Sequence, residues 1–494
     1  MFQTRRRRKF NLSAHLFDSA GMSDSLRRSL FYVILSVAFG SVNGIVTTGA
    51  AWTGFLRKIG ADAFALGILT AIPVAANSIQ VFISYAIERT GKRRELFLWA
   101  GIIGRFLWAP IGLIPFFIPM SPEMLRVAIV MLFVAVCSCS NAVISVGFYS
   151  LVTDIVPMRI RGRYFSARSA VSLVVAVVTG VLISLLIDHT SGYVGYTIAL
   201  VLAGVFGALD IACYLRVDWP KMKRPEGRQP SLPRMIASVW KHRDFRNITL
   251  MMLFWGFAVN IAAPFYNVYM IEVVKMSYTQ ITLINQVLPN VIAVFIIAWW
   301  GRQMDDYGNK PVMQTTGLFT MIYPLLWLFT GANVFWMLIA LNLLSGLLSN
   351  AFDLGAQNLY LNAAPDTNRS MFISVYFACT QLLGNAVSSA VGGWLLQNVT
   401  PLMERWNWKL FGLPMTRYHY IFLFSGILRM AMILFMLPVV REDGSQPMRA
   451  LLADSSRGIY SSFARGARGI WIVAQRRRAH KAIRRSESDD SGNK

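Results

Sequence analysis

Charge is scarce in this chain. Only 15% of its 494 residues are charged and 55% are hydrophobic, whereas a soluble domain usually carries roughly 25% charged residues. The sequence lacks a Gly-x4-Gly-Lys-Ser/Thr motif, which argues against ATP binding through a P-loop. Its five histidines lie in tails, loops or at the ends of apolar runs, leaving none for an intramembrane haem or zinc. These absences disfavour the enzyme classes, and we expect no cofactor and no metal.

Long apolar runs fill most of the sequence. A membrane-spanning helix needs about 20 mostly apolar residues, and the runs are continuous rather than alternating, which excludes barrel strands. We therefore predict an all-α membrane protein. Its twelve predicted spans are 30–54, 62–87, 95–119, 124–152, 165–188, 192–215, 247–271, 278–300, 312–330, 333–362, 370–398 and 417–440.

The basic residues are unevenly distributed between the two sides that these spans define. The net charge is +24, and 39 of the 48 Lys and Arg residues belong to the side that carries both tails. By the positive-inside rule that side is cytoplasmic. We therefore predict a multi-pass protein of the plasma or inner membrane with both termini in the cytoplasm. The basic tails are expected to meet anionic lipids of the inner leaflet rather than nucleic acid.

The chain divides into two related halves. The longest internal hydrophilic segment, 217–246, separates six spans from six, and Val42-Asn43 recurs as Val259-Asn260 at an offset of 217. The acid-x2-Gly-x-base loop at Glu88 recurs at Asp305 with the same offset. This pattern predicts a duplicated six-helix unit. The expected organisation is a basic leader 1–28, a first bundle 29–216, a linker 217–246, a second bundle 247–441 and a basic tail 442–494.

These loops resemble the signature loops of the major facilitator superfamily. Gly301-x3-Asp305-x2-Gly308-x-Lys310 fits the second copy of the family's loop, while the first copy has Ser84 for the glycine and Glu88 for the aspartate. Asp154-x2-Pro157-x3-Arg161 also looks like the family. The resemblance implies twelve transmembrane helices in two pseudo-symmetric six-helix bundles around a central cavity, and movement by alternating access.

The signature loops are candidate gates. A carboxylate at a helix end can bond to the free amides of a neighbouring helix and so latch two bundles together; the alternative is that these charges only mark the cytoplasmic side. Glycine permits the tight turn in each loop. The candidate gating residues are Glu88, Arg89, Gly91, Arg93, Asp154, Arg161, Asp305, Gly308, Lys310 and Arg369.

Polar residues at helical spacing mark a candidate pathway. Inside a bilayer they tend to face a cavity or another helix, so the alternative is that they hold helices together. The candidate solute-binding residues are Asn43, Asn141, Tyr149, Asn260, Tyr266, Asn267, Gln357, Gln381 and Asn385. We further expect Asn43 and Asn260 to face each other across the axis between the bundles.

Isolated charges need a separate interpretation. Asp353 is the most isolated acid on a span of the cavity type, and such a carboxylate can take up a proton, so it is the candidate coupling residue. Asp210 is expected to be solvated near the cytoplasmic end of its span or paired with Arg216. For Arg105 and Arg429 a structural role and a solute contact stay open.

The leading functional hypothesis is a secondary active transporter of a small polar or amphipathic organic solute. It would work as a uniporter or as a proton symporter, and its partners would be the solute, membrane lipids and, in a symporter, protons. Two alternatives remain: a non-transporting sensor or scaffold with the transporter fold, and a lipid flippase.

Overall fold

The computed structural model is almost entirely helical. It describes residues 23–118, 123–220, 240–331, 335–365, 369–410, 413–442 and 444–453. The long helices are α1 (Asp24–Val46, continued by Ala50–Lys58), α2 (Ala63–Asn77 and Gln80–Thr90), α3 (Arg93–Phe106 and Trp108–Phe117), α4 (Glu123–Ile155), α5 (Arg161–His189), α6 (Val194–Cys213), α7 (Arg243–Asn260 and Ala263–Glu272), α8 (Tyr278–Thr282, Leu283–Val287 and Leu288–Tyr307), α9 (Asn309–Leu326), α10 (Phe335–Ala363), α11 (Arg369–Ala378, Cys379–Ala386 and Val387–Asn398) and α12 (Arg417–Ala431 and Met432–Met436).

The predicted fold class is confirmed. Ten helical segments of the described chain are long and apolar enough to cross a membrane, and α2 and α11 occupy the remaining two positions predicted from the sequence. The first six helices pack mainly against one another, with α6 against α1 and α3, and α2 against α4. In the second bundle α9 packs against α10 and α12, and α7 against α11.

The two bundles meet mainly through two helix pairs. α2 packs along α11, and α5 packs against the beginning of α8. The largest apolar cluster lies where the bundles meet, and it contains Phe55 and Trp108 from the first bundle together with Phe265 and Tyr269 from the second. Since one buried cluster includes side chains from both halves, its burial stabilises their contact at that end of the molecule.

Several helices are interrupted within their apolar runs. In α1 the hydroxyls of Thr47 and Thr48 donate to the carbonyls of Asn43 and Gly44 (2.9 and 2.8 Å), and the helix stops before Gly49. Such side-chain bonds compete with the backbone ladder and bend helices. Wider π-type turns at Leu283–Val287, Cys379–Ala386 and Met432–Met436 interrupt α8, α11 and α12.

A short antiparallel strand pair precedes α12. Its strands, β1 (Lys409–Leu410) and β2 (Leu413–Pro414), follow the small helix Thr400–Glu404. Together they form the connection between α11 and α12, at the same end of the molecule as the α1–α2, α5–α6 and α7–α8 loops. We call this end the loop-closed end.

Candidate functional site

Ion pairs join the bundles at the loop-closed end. Arg57, at the end of the α1 continuation, places its Nε atom 2.5 Å from Glu272 Oε1 at the end of α7. The Tyr418 hydroxyl donates to the other oxygen of the same carboxylate (2.5 Å), and the Arg417 guanidinium lies 3.9 Å from it. Charge-assisted bonds of this kind are the strong class of hydrogen bond, so Glu272 ties α1 to the second bundle.

A second link is a carboxylate that caps a helix of the other bundle. Asp188, near the end of α5, accepts hydrogen bonds from the backbone amides of Tyr278 (2.8 Å) and Thr279 (2.9 Å), and from the Thr279 hydroxyl (2.6 Å). The first amides of a helix lack intrahelical partners and carry partial positive charge. Asp188, in the first bundle, therefore provides hydrogen-bond acceptors for the free amides at the beginning of α8 in the second bundle.

Close backbone approach joins α2 to α11. A Cβ atom added at Gly67 would lie 2.5 Å from the Ser389 carbonyl oxygen, and one at Gly393 would lie 2.5 Å from the Ala63 carbonyl oxygen. Only glycine permits this approach. At the same end, Gln397 donates to Asp62 (3.0 Å).

A pocket opens inside the first bundle between α1, α2, α3 and α4. Its volume is about 210 Å³. Its lining residues are Asn43, Gly44, Thr47, Thr48, Trp52, Leu69, Pro73, Asn77, Gly104, Arg105, Trp108, Val134, Cys137, Ser138, Asn141 and Ile144. The rings of Trp52 and Trp108 meet edge to face at 5.2 Å, while Asn77 and Asn141 are exposed. The pocket thus combines two aromatic rings with amides and hydroxyls, and its lining contains no carboxylate.

A buried polar cluster forms one wall of this pocket. The Arg105 guanidinium donates to Asn43 Oδ1 (2.5 Å) and lies 3.3 Å from Asp210 Oδ2 on α6, and the Asn43 amide donates to the Ala203 carbonyl (3.0 Å). The expectation for Asp210 was wrong: it is 6% exposed and pairs with Arg105, whereas Arg216 donates to the Tyr32 hydroxyl. The guanidinium charge is therefore matched within the bundle.

In the second bundle the equivalent amide also bonds within its own half. Asn260 donates to Asn385 Oδ1 on α11 (3.0 Å), and the Asn385 amide donates to Gln381 Oε1 (3.0 Å). The expectation that Asn43 and Asn260 face each other across the axis was wrong, because each turns to a helix of its own bundle. Asn43 is 1% exposed. Both amides therefore link helices, and of the two only Asn43 also lines the pocket of the first bundle.

The other predicted binding residues are dispersed. Asn267 accepts a hydrogen bond from Asn285 on α8 (2.9 Å). Tyr266 stacks on Phe422 with ring centroids 4.6 Å apart, inside the second bundle. Tyr149 on α4 is 64% exposed, beyond the pocket lining.

The two polar residues predicted on α10 are both exposed. They are Gln357 and the coupling candidate Asp353, which lie one helical turn apart on the same face. Within the described residues neither side chain has a hydrogen-bond partner, and their roles in binding and coupling stay predictions.

The first signature loop is held within its own bundle. Arg93 Nη1 lies 2.7 Å from Asp154 Oδ2 and 2.8 Å from the Ser150 hydroxyl, which joins α3 to the end of α4. Gly91 adopts a left-handed conformation (φ 67°) where α2 ends. Arg161 donates to the Thr153 and Val156 carbonyls, and Arg89 is exposed. The side chains of Glu88 and Arg369 lie outside the described part of the structure.

In the second signature loop the helix-capping acid differs from the predicted one. Asp305 is exposed, whereas Glu442 accepts from the backbone amides of Asn309 (3.0 Å) and Lys310 (2.6 Å) at the beginning of α9. The Lys310 ammonium donates to the Val440 carbonyl (2.7 Å), and Gly308 has φ 96°. In this conformation the loop is tied to the end of α12 and not to the first bundle.

Sequence reasoning missed the residues that join the bundles. It placed the latch at the signature loops, while hydrogen bonds between the bundles lie at the opposite end and include those of Asp62, Asp188 and Glu272. A signal was available: each of these acids stands where an apolar run begins or ends, next to a short loop. Their partners lie in the other half of the sequence, so no local pattern reveals them.

Some predictions concern parts of the chain that the structure does not describe. Most of the basic leader (1–22), of the linker (221–239) and of the basic tail (454–494) falls outside the described residues. Within the described ranges, no group of three or more His, Cys, Asp or Glu side chains could hold a metal ion.

Comparison with known proteins gives the family. The sequence model described as Major Facilitator Superfamily matches residues 30–299 and 261–471. No curated protein matches the chain. Among solved structures, a bacterial homolog of the human lysosomal transporter Spinster, inward-facing and unoccupied, is similar with a TM-score of 0.61 and 14% identity, covering 85% of this chain and 96% of that one.

Two further solved structures show the same fold. The nucleoside transporter NupG has a TM-score of 0.61 at 12% identity, covering 85% of this chain and all of its own (100%). The inward-open xylose transporter XylE from E. coli has a TM-score of 0.60 at 14% identity, covering 86% of this chain and 99% of its own. With a family match along most of the sequence, the chain belongs to the major facilitator superfamily.

Proposed function

We propose that this protein is a secondary active transporter that moves a small, neutral, polar organic solute by alternating access, as a uniporter or a proton symporter. The observation that carries the proposal is the 210 Å³ pocket between α1 and α4, which lies beside the end where the bundles are joined. An alternating-access carrier holds its solute near mid-membrane, where each side can reach it in turn.

The chemistry of the pocket supports an uncharged solute. Amide groups offer both donors and acceptors without net charge, and Asn77 and Asn141 are exposed at the pocket. The one cation in the lining, Arg105, is matched by Asp210. Trp52 and Trp108 offer apolar faces. A sugar or nucleoside fits this combination better than a dicarboxylate, and a nucleoside transporter and a xylose transporter are among the proteins of similar fold.

The orientation belongs to the same proposal. We infer that the loop-closed end faces outward and that both termini are cytoplasmic, because the side with the signature loops carries most of the Lys and Arg. The structure would then represent a carrier closed to the outside. The bundle limits 29–216 and 247–441, with the linker 217–246, follow from the duplicated sequence.

Counterflow in proteoliposomes tests the transport proposal. Proteoliposomes that contain the purified protein are loaded with one unlabelled solute, and uptake of the same solute in labelled form is measured. The solutes tested are sugars, nucleosides, neutral amino acids and dicarboxylates. We expect counterflow of a neutral hydroxylated class. Asn141→Ala should raise the solute concentration for half-saturation about threefold to tenfold, the effect of one lost hydrogen bond. Asn398→Ala, at the exposed end of α11, is the matched control.

Different outcomes distinguish the alternatives. If well-folded protein gives no counterflow of any solute class but translocates labelled phospholipid, the flippase alternative replaces the proposal. If it moves neither solute nor lipid, the scaffold alternative stands.

A further inference from the structure

A second cavity lies far from the solute pocket, at the ends of α3 and α6 on the side of the signature loops. Its volume is about 590 Å³, and Arg93, Arg94, Arg216, Asp218 and Trp219 contribute to its lining. We name it the α3–α6 cleft. Its lining includes Gly91 and Arg93 of the predicted gating residues, and it shares no residue with the solute pocket.

The cleft contains three arginines, one buried and two exposed. Arg93 is buried and engaged with Asp154, and its guanidinium lies 5.5 Å from the centre of the Trp219 ring. Arg94 is exposed, and within the described ranges it has no hydrogen-bond or ion-pair partner. Arg216 is also exposed, and it uses one guanidinium nitrogen to bond Tyr32. Two arginines can therefore bind an anion.

Backbone groups add to this charge. α3 begins at Arg93, and the residue before it, Lys92, makes no side-chain cap. The first amides of an uncapped helix bear partial positive charge and favour a phosphate oxygen. Asp218 is the acid of the lining; its backbone amide bonds Ser29, and its carboxylate is exposed. A carboxylate beside arginines suits a ligand that carries hydroxyl donors as well as a phosphate.

The surface next to the cleft identifies the source of the phosphate. Beyond Arg94, α3 exposes Trp99 (68%) and Phe106 (59%). α6 exposes Leu209 (42%), and Leu215 (53%), in the turn after α6, lines the cleft. Since a helix rises 1.5 Å per residue, this apolar surface of α3 extends roughly 18 Å from Arg94 into the membrane region. A soluble phosphate would use only the cleft, whereas a phospholipid would use both surfaces.

We propose that the α3–α6 cleft binds the phosphate headgroup of an anionic phospholipid whose acyl chains lie along α3 and α6. Arg94 and Arg216 bind the phosphate, Asp218 accepts a hydrogen bond from a headgroup hydroxyl, and Trp219 lies at headgroup depth, where tryptophan is favoured. This is a defined site in the first bundle, distinct from general attraction between the basic tails and the membrane.

Native mass spectrometry of the delipidated full-length protein tests the proposal. The probes are phosphatidylglycerol, phosphatidylcholine and glycerol 3-phosphate. We expect a tight phosphatidylglycerol site that Arg94→Gln/Arg216→Gln weakens about 25-fold, since each basic residue near an anionic surface contributes about fivefold and the two factors multiply. Arg94→Lys/Arg216→Lys, which keeps the charge, should retain most of the binding. Arg302→Gln, at an exposed position on α8, should change nothing.

Three results would overturn the assignment. Unchanged phosphatidylglycerol affinity in the double glutamine variant would place the lipid elsewhere on the protein. Equal affinity for phosphatidylcholine would remove the role of the anionic charge. Displacement by glycerol 3-phosphate at concentrations similar to the lipid would make the cleft a site for a soluble phosphate.

Discussion

At the scale of single residues, the two equivalent asparagines illustrate how one side chain can serve both packing and binding. The sequence predicted Asn43 and Asn260 as a pair of solute-binding residues that face each other. In the structure Asn43 bridges Arg105 and the Ala203 carbonyl, and Asn260 bonds Asn385. Removing one member of such a bond leaves a buried partner unsatisfied.

We therefore expect both alanine variants to lower stability by about 1–3 kcal/mol, which thermal unfolding in detergent would detect. Only Asn43→Ala should also weaken solute binding, because Asn43 lines the pocket and Asn260 does not. Asn398→Ala serves as the control for both measurements. Equal loss of affinity in the two variants would restore the original expectation of a symmetric binding pair.

Asp353 gives a second prediction at this scale. Asp353 is an exposed residue on α10, one helical turn from Gln357. If the protein is a proton symporter, Asp353→Asn should abolish accumulation against a gradient and leave counterflow intact, since counterflow needs no net proton movement. Asp306→Asn, an exposed acid at the end of α8, is the matched control. Uphill accumulation that survives in Asp353→Asn would show that another group carries the proton.

At the scale of helices, Asp188 is the clearest test of how the bundles are held together. Its carboxylate accepts three hydrogen bonds at the beginning of α8. Asp188→Ala should cost the loop-closed state about 1–3 kcal/mol relative to the opposite state, which shifts the population about fivefold or more. A cysteine introduced at Thr48, beside the pocket, would report this change in population. It is labelled with an impermeant reagent from the loop-closed side, and faster labelling indicates more of the state that is open there.

The approach of α2 and α11 gives a complementary prediction. Gly67→Val adds atoms where the Ser389 carbonyl already lies within 2.5 Å of a Cβ position. We expect this variant to disfavour the loop-closed state and raise labelling from that side by at least as much as Asp188→Ala. Gly331→Val is the matched control, because no described atom lies within 4 Å of its Cβ position. Labelling of Gly67→Val at the wild-type rate would mean that α2 and α11 separate by another route.

The sequence revealed helices far better than it revealed contacts. Spans such as 62–87 and 370–398 coincide with α2 and α11 because bilayer thickness imposes a length and composition that local sequence must satisfy. The break at Gly49 and the wide turn at Cys379–Ala386 escaped prediction, since neither interrupts the apolar run. The Arg105–Asp210 pair joins residues far apart in the chain, so only the packing of α3 against α6 reveals it.

At the scale of the whole molecule, the two bundles differ in how an arginine inside each of them is matched. The first bundle contains the matched pair of Arg105 and Asp210 beside a pocket. The second contains Arg429, which is 5% exposed, donates to the Thr320 carbonyl and lies over the Trp255 ring. Each of these two arginines is therefore matched within its own bundle, by a carboxylate in the first and by a carbonyl and an aromatic ring in the second.

Alternating access requires the loop-closed end to open during each transport cycle, and a reversible crosslink there tests this directly. Asp62 and Gln397 are exposed and bonded at 3.0 Å, so Asp62→Cys/Gln397→Cys, with the four native cysteines replaced, can be joined by a short cleavable reagent. Counterflow of the transported solute is measured before crosslinking, after it and after reduction. We predict that the protein is active before crosslinking, that crosslinking lowers the counterflow rate by at least about tenfold, and that reduction restores it fully. Undiminished counterflow in fully crosslinked protein would contradict the account.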